Sequence, residues 1–126
     1  MNLALLKPSA LSLALALALL CVLTSLSQAK KKEAAGDDVA AGEKVFRKNC
    51  NMCHYPDKTD SKIGPGLKDL FKNKELPASH QPVTEDNVRE QIEKGSPKAK
   101  PMPMPGFHDK VSPDDINKLI EYLKTL

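Results

Sequence analysis

Two cysteines and a histidine lie close together in the stretch Cys50-Asn51-Met52-Cys53-His54. Their spacing is C-x-x-C-H, the pattern through which a c-type haem is attached to a polypeptide. On one turn of helix, two thiols at this spacing can each form a thioether with one vinyl group of the same porphyrin. The histidine then lies against the haem face, where its imidazole can coordinate the iron. The motif therefore predicts one covalently bound haem c, attached through Cys50 and Cys53, with His54 as an iron ligand.

Three other uses of a C-x-x-C pair fit the surrounding sequence less well. A thioredoxin-like redox pair needs a βαβ setting, and the flanking sequence has no strand pattern. A zinc site needs four ligands, usually with the second pair at short spacing, whereas His80 and His108 are far apart in the chain. A disulfide between Cys50 and Cys53 would close a very small, strained loop and would leave His54 without a role.

Residues 1–29 have the features of a cleaved signal peptide. Lys7 precedes an alanine- and leucine-rich run, and Ser27-Gln28-Ala29 has the small-x-small pattern that a signal peptidase cuts after. The alternative is a retained membrane anchor, since the apolar run approaches the length of a short transmembrane span. The polar, lysine-rich continuation after Ala29 favours cleavage. We therefore expect an exported, periplasmic protein.

The cysteine content indicates how the small domain is stabilised. Of the three cysteines in the chain, Cys21 lies in the expected signal peptide, so only the two motif cysteines remain after cleavage. No disulfide framework can then stabilise the small exported domain, and a porphyrin would supply apolar surface for its core instead.

The formal net charge is +3 and aromatic residues make up 4% of the chain. Because no basic stripe with interleaved aromatic residues occurs, nucleic acid is not an expected partner.

The segment before the cysteine motif reads as a leader followed by a helix. Residues 30–36 read as a flexible leader, and Asp37 or Asp38 can cap a helix that runs toward the motif. Gly42 and Phe46 fall on one face of this helix. A glycine in the middle of a helix is costly unless another part of the molecule approaches its backbone closely. Gly42 therefore predicts a packing partner.

Two further helices are indicated after the motif. Thr84 can cap the first, which ends at Gly95, and Ser112 followed by Pro113 begins the last. Neither a strand pattern nor an internal repeat is present. Residues 37–126 are therefore predicted to form one all-α domain.

The stretch between these two helices contains four prolines and two methionines, Met102 and Met104. A proline-stiffened loop is well suited to presenting a thioether, a soft ligand, to iron. Both methionines are candidates, since each begins a Met-Pro dipeptide. Met52 is better explained as a packing or edge residue beside the attachment motif. His80 and His108 can ligate iron in principle, but isolated loop histidines are usually solvated.

The motifs together resemble those of the class I c-type cytochromes, in the same order and across the whole region after the expected signal peptide. The residues that carry the resemblance are Gly42-Glu43-Lys44-Val45-Phe46, the C-x-x-C-H motif, Gly64-Pro65-Gly66-Leu67, Met104-Pro105-Gly106-Phe107 and a final helix from Ile116 to Leu126. The resemblance implies a cytochrome c fold, with helices wrapped around one haem. It also implies that the first and last helices cross, with Gly42 and Phe46 against Tyr122.

Residue roles follow from the same resemblance. His54 is implied as the proximal ligand, with the backbone carbonyl of Pro65 accepting a hydrogen bond from its other ring nitrogen. Met104 is implied as the distal ligand in preference to Met102, because an M-P-x-F sequence before a capped final helix is the family's spacing. Iron held on both sides has no open position for a substrate. The resemblance therefore implies a single-electron carrier and not an enzyme.

The expected partners are a donor and an acceptor redox protein, which would bind transiently at the exposed haem edge. The protein itself is expected to be a monomer, with membrane contact only through those partners or an uncleaved N-terminus. Lys94, Lys98, Lys100 and Lys110 surround the methionine loop and can steer an acidic partner, although ordinary surface lysines would look the same. Two other functions stay open. One is the haem-carrying subunit of a larger periplasmic oxidoreductase, and the other is a haem sensor or peroxidase, which requires Met104 to detach.

Overall fold

Three α-helices carry the part of the chain that the computed structural model describes, residues 35–126. Helix α1 covers residues 35–49, α2 covers Glu85–Lys94 and α3 covers Pro113–Leu123, with a short 3-10 helix at Leu70–Lys72. Residues 35–126 contain no β-strand, so the all-α prediction is confirmed for them. None of the helices described is long and apolar enough to cross a membrane.

Helices α2 and α3 begin at the caps that the sequence predicts. The Thr84 hydroxyl accepts a hydrogen bond from the backbone N–H of Asn87 at 3.2 Å. The Ser112 hydroxyl accepts one from the N–H of Asp115 at 3.1 Å. Each bond satisfies a backbone donor that has no partner within the first turn of a helix. Helix α2 ends at Gly95, whose φ of 72° lies in the left-handed region that favours glycine.

Helix α1 begins earlier than the sequence predicts. Residues 35 and 36 are already helical, so Asp37 and Asp38 lie inside the helix and do not cap it. The predicted cap at Asp37 or Asp38 is therefore wrong, whereas the division into a leader of residues 30–36 and a domain of residues 37–126 stays a prediction. Ala35 is a strong helix former, and carboxylates stabilise the first turns of a helix as well as its cap. The predicted signal peptide, 1–29, and the rest of the predicted leader lie outside the described residues.

Helix α3 lies directly against the backbone of α1 at Gly42. A Cβ atom added at Gly42 would overlap the carbonyl oxygen of Lys118 and lie 2.9 Å from Cβ of Tyr122. One turn later, the ring centroids of Phe46 and Tyr122 are 5.5 Å apart with an interplanar angle of 53°, a favourable arrangement for two aromatic rings. The packing partner predicted for Gly42 is therefore α3, and the predicted crossing is confirmed.

One apolar core, next to this crossing, joins the three helices. Phe46 of α1 and the apolar face of α3 form its centre, and α2 contributes Val88 and Ile92. The loop residue Leu76 is also buried, at 5% exposure, although no periodic apolar pattern surrounds it. The core thereby fixes the end of α1, which leads into the cysteine motif, and the end of α2, which leads into the methionine loop.

Candidate haem site

The cysteine motif follows directly from the last turn of α1. The backbone N–H of Cys50 donates to the carbonyl oxygen of Phe46 at 2.8 Å, which continues the helical hydrogen bonding. The N–H groups of Cys53 and His54 both donate to the carbonyl of Cys50, at 2.9 and 3.0 Å. Because Phe46 is buried in the core, this turn is fixed relative to the α1–α3 crossing.

Both motif cysteines are free thiols and half-buried. The pKa of Cys50 is raised to about 11. Burial of the thiol is the larger cause, and charge repulsion from the neighbouring Cys53 is the smaller one. A thiol with so high a pKa stays protonated at neutral pH and is a poor nucleophile for adventitious chemistry. Both side chains are the free thiols that thioether formation with a porphyrin requires.

The imidazole of His54 is oriented by a single backbone contact. Its Nδ1 lies 2.8 Å from the carbonyl oxygen of Pro65. A carbonyl can only accept a hydrogen bond, so Nδ1 carries the proton and donates it. The other ring nitrogen, Nε2, then has a lone pair free for a metal, the arrangement typical of metal-bound histidines.

The loop that carries Pro65 also closes over the motif backbone. The N–H groups of Ile63 and Gly64 donate to the carbonyl of Cys53 at 3.2 and 2.8 Å, and Lys62 Nζ donates to the carbonyl of Asn51 at 2.8 Å. A Cβ atom added at Gly64 would overlap the His54 ring. Glycine is thus required at position 64 because the imidazole occupies the space of a side chain.

The methionine loop is tied to the end of α2 by backbone pairing. Ser96 N–H donates to the carbonyl of Met104 at 2.8 Å, and Met104 N–H donates back to the carbonyl of Ser96 at 3.1 Å. This pairing forms an isolated antiparallel bridge. Gly95 makes it possible, since a Cβ atom at that position would overlap the carbonyl oxygen of Met104. Met104 is therefore held at the base of the loop.

The candidate distal ligands differ in exposure. Met104 is half-buried, and its Sδ lies 3.9 Å from the amide Nε2 of Gln91. Met102 is 59% exposed and Met52 is 78% exposed. The side chains of His80 and His108 are also exposed, at 80% and 66%. Of these five side chains, Met104 is the one directed into the fold, which agrees with its predicted role, although iron ligation by Met104 and His54 stays a prediction.

These residues fit a covalently attached haem. Two free thiols at the correct spacing can form the thioethers, the imidazole presents a free Nε2, and a thioether is available on a separate loop. Imidazole and thioether are a ligand pair that haem iron accepts. The donor set and the protonation pattern of the imidazole both agree with the predicted group.

Gln91 is the residue near the site that the sequence analysis missed. It lies three residues after Val88 and directly before Ile92, the two core residues of α2. A spacing of three places it on the same side of the helix as Val88. A polar residue on the apolar side of an amphipathic helix was the available signal, since such a side chain needs a polar partner when it is partly buried.

Comparison with known proteins is consistent with this site. The family model described as Cytochrome c matches residues 39–126, which include the cysteine motif, the Gly64-Pro65-Gly66 loop, the methionine loop and α3. None of the curated proteins compared with the chain matches it. The matched region covers most of the sequence. The chain therefore belongs to the cytochrome c family, with the all-α cytochrome c fold, and this membership implies a covalently bound haem c and haem-based electron transfer.

Proposed function

We propose that the protein is an exported, soluble cytochrome with a single haem c, which carries single electrons and is not an enzyme. When bound, the haem would supply an iron that can take up and release one electron. The observation that supports the proposal most strongly is the hydrogen bond from His54 Nδ1 to the Pro65 carbonyl at 2.8 Å. It leaves Nε2 available as the proximal ligand and increases the basicity of the imidazole.

Met104 would supply the distal ligand. A thioether is a soft donor that favours the reduced state, so histidine and methionine together give a higher reduction potential than two histidines. The bridge to Ser96 keeps Met104 at the base of its loop. Motion of the loop tip would therefore not release the Met104 side chain. Ligands on both sides leave no site for a substrate, which supports a carrier function.

The decisive experiment uses protein produced with haem maturation machinery. We expect the chromophore to stay with the polypeptide during acid–acetone extraction, because the Cys50 and Cys53 thioethers are covalent. The oxidised protein should show the near-infrared band of sulfur-to-iron ligation, and redox titration should give a single one-electron transition. Met104→Ala should abolish the band, whereas Met102→Ala, the matched control, should retain it. An extractable chromophore would refute covalent attachment, and the reverse result for the two variants would reassign the ligand to Met102.

Transient redox partners would dock near the Cys50–Cys53 edge and the tip of the methionine loop. Of the four lysines expected to steer them, Lys94 already pairs with Glu90 at 2.6 Å and is less available. Lys110 lines an open pocket of about 200 Å³ together with Lys44, Lys48 and one carboxylate, Asp115. The three lysines outnumber the carboxylate, and this excess of positive charge supports an acidic partner. Electron-transfer rates should fall as ionic strength rises; rates that ignore salt would rule out steering.

Export and monomeric state are part of the same proposal. Cleavage after Ala29 would leave Lys30 as the first residue of the mature protein. N-terminal sequencing of native protein should therefore begin at Lys30. Size-exclusion chromatography of a native extract should give a small monomer, whereas co-elution with a catalytic subunit would support the oxidoreductase-subunit alternative.

A further inference from the structure

Gln91 makes the one side-chain hydrogen bond to the Met104 sulfur within residues 35–126. Its Nε2 lies 3.9 Å from Sδ, and both side chains are partly buried. The neighbouring helix positions Val88 and Ile92 are buried in the core, at 3% and 7% exposure. The amide is therefore held beside the sulfur by a helix that cannot rotate without exposing two core residues.

The direction of this contact follows from the chemistry of the two groups. A thioether has lone pairs and no proton, so it can only accept. The NH₂ group of Gln91 must face the sulfur, because the carbonyl oxygen of the same amide would repel it. A sulfur atom has two lone pairs, so one can accept from the amide while the other stays available for the metal.

Backbone hydrogen bonds hold the Gln91 and Met104 side chains next to each other. The N–H of Gly95 donates to the carbonyl of Gln91 at 2.9 Å, which completes the last turn of α2. Gly95 then reverses the chain, and the two hydrogen bonds between Ser96 and Met104 fix the methionine backbone beside that turn. Gln91 and Met104 are thus both positioned from the same helix end.

We infer that Gln91 is a positioning residue for Met104, whose amide orients the thioether and raises the reduction potential of the site. This inference rests on the proposed ligation by Met104. An N–H donor places the positive end of its dipole next to the ligand atom, which disfavours the additional positive charge of the oxidised state. It also withdraws electron density from the sulfur, which acts in the same direction.

Two variants and a control test the inference in the haem-loaded protein. Gln91→Leu removes the donor, and Gln91→Glu keeps nearly the same shape while presenting an acceptor. Both should lower the reduction potential, and Gln91→Glu should lower it more because its negative charge favours the oxidised state. The matched control is Gln81→Leu, the same change at an exposed loop position.

A second measurement separates orientation of the ligand from general stability. Imidazole competes with Met104 for the oxidised iron, so loss of a weak hydrogen bond to the sulfur should tighten imidazole binding by about threefold in Gln91→Leu. The near-infrared band should persist, since Met104 is still present. Gln81→Leu should match the wild-type protein in potential, imidazole affinity and band.

The possible failures are distinguishable. A wild-type protein whose near-infrared band is absent, or survives Met104→Ala, overturns the proposed ligation itself. A band that depends on Met104, combined with a potential and an imidazole affinity in Gln91→Leu equal to those of Gln81→Leu, overturns the role of Gln91 alone. If Gln91→Leu does not fold, Gln91→Glu decides, and an unchanged or raised potential in that variant contradicts the inference.

Discussion

The two sides of the candidate haem site are held by different kinds of contact. On the histidine side, a strong hydrogen bond of 2.8 Å fixes the His54 ring, and glycine 64 lies directly against it. On the methionine side, two hydrogen bonds fix the Met104 backbone, but the hydrogen bond to the sulfur itself is a weak one, at 3.9 Å. The imidazole is thus fixed as a side chain, whereas the thioether is fixed through its main chain.

This difference indicates a division of roles. The histidine side shares its backbone with the two cysteines, so a change there affects attachment and ligation together. The methionine side can be altered at its sulfur without disturbing the chain that carries it. We therefore expect substitutions near His54 to decide whether the haem site forms. Substitutions near Met104 should instead change the reduction potential of the haem iron.

The largest effect is expected from removing both attachment thiols. Cys50→Ser with Cys53→Ser should leave no chromophore on the polypeptide after acid–acetone extraction, because hydroxyls do not form the thioethers. Cys21→Ser is the matched control, since Cys21 lies outside the motif and in the predicted signal peptide, and it should retain the chromophore. A double variant that still holds the chromophore covalently would show that attachment does not depend on this motif.

Gly95→Ala should disturb the methionine side next most strongly. Its φ of 72° is unfavourable for alanine, and the added Cβ atom would overlap the Met104 carbonyl. We expect a loss of about 2–4 kcal/mol in the free energy of unfolding. The near-infrared band should weaken while covalent attachment is retained, as absorption spectra and denaturant titration would show. An unchanged band would mean that the bridge does not position the ligand.

Gly64→Ala should have a smaller effect on stability and act on the opposite side. The added Cβ atom would overlap the His54 ring, which can move only by weakening its bond to Pro65. We expect a loss of about 1–3 kcal/mol, measured by denaturant titration. Gly36→Ala is the control, because no atom lies within 4 Å of the added Cβ there, and it should be neutral or slightly stabilising. If Gly64→Ala weakened the near-infrared band more than Gly95→Ala, the two sides could not be regarded as separable.

Features set by neighbouring residues could be predicted from the sequence. The caps at Thr84 and Ser112 depend on side chains that bond within their own turn, and the structure has both. The cysteine motif is equally local, as is the left-handed end of α2 at Gly95. The approach of α3 to Gly42 could be anticipated because a mid-helix glycine requires an unusual neighbour, although its identity came from family resemblance.

Features set by the register of distant segments could not be predicted. The contact between Gln91 and Met104 depends on how the chain returns after Gly95, and no local pattern specifies the pairing of Ser96 with Met104. Leu76 is buried because other elements cover its loop, not because of any periodicity around it. The early start of α1 was missed because acidic residues favour both a cap and a first turn.

The pairing of Ser96 with Met104 closes the methionine loop at its base, so residues 97–103 project with both ends secured. Most of this stretch is exposed, including Lys98, Lys100 and Met102. Peptide grafts of altered length and composition should therefore be accepted here while the colour and potential of the protein stay constant. Recognition of other proteins can therefore change in residues 97–103 without a change at the proposed haem site.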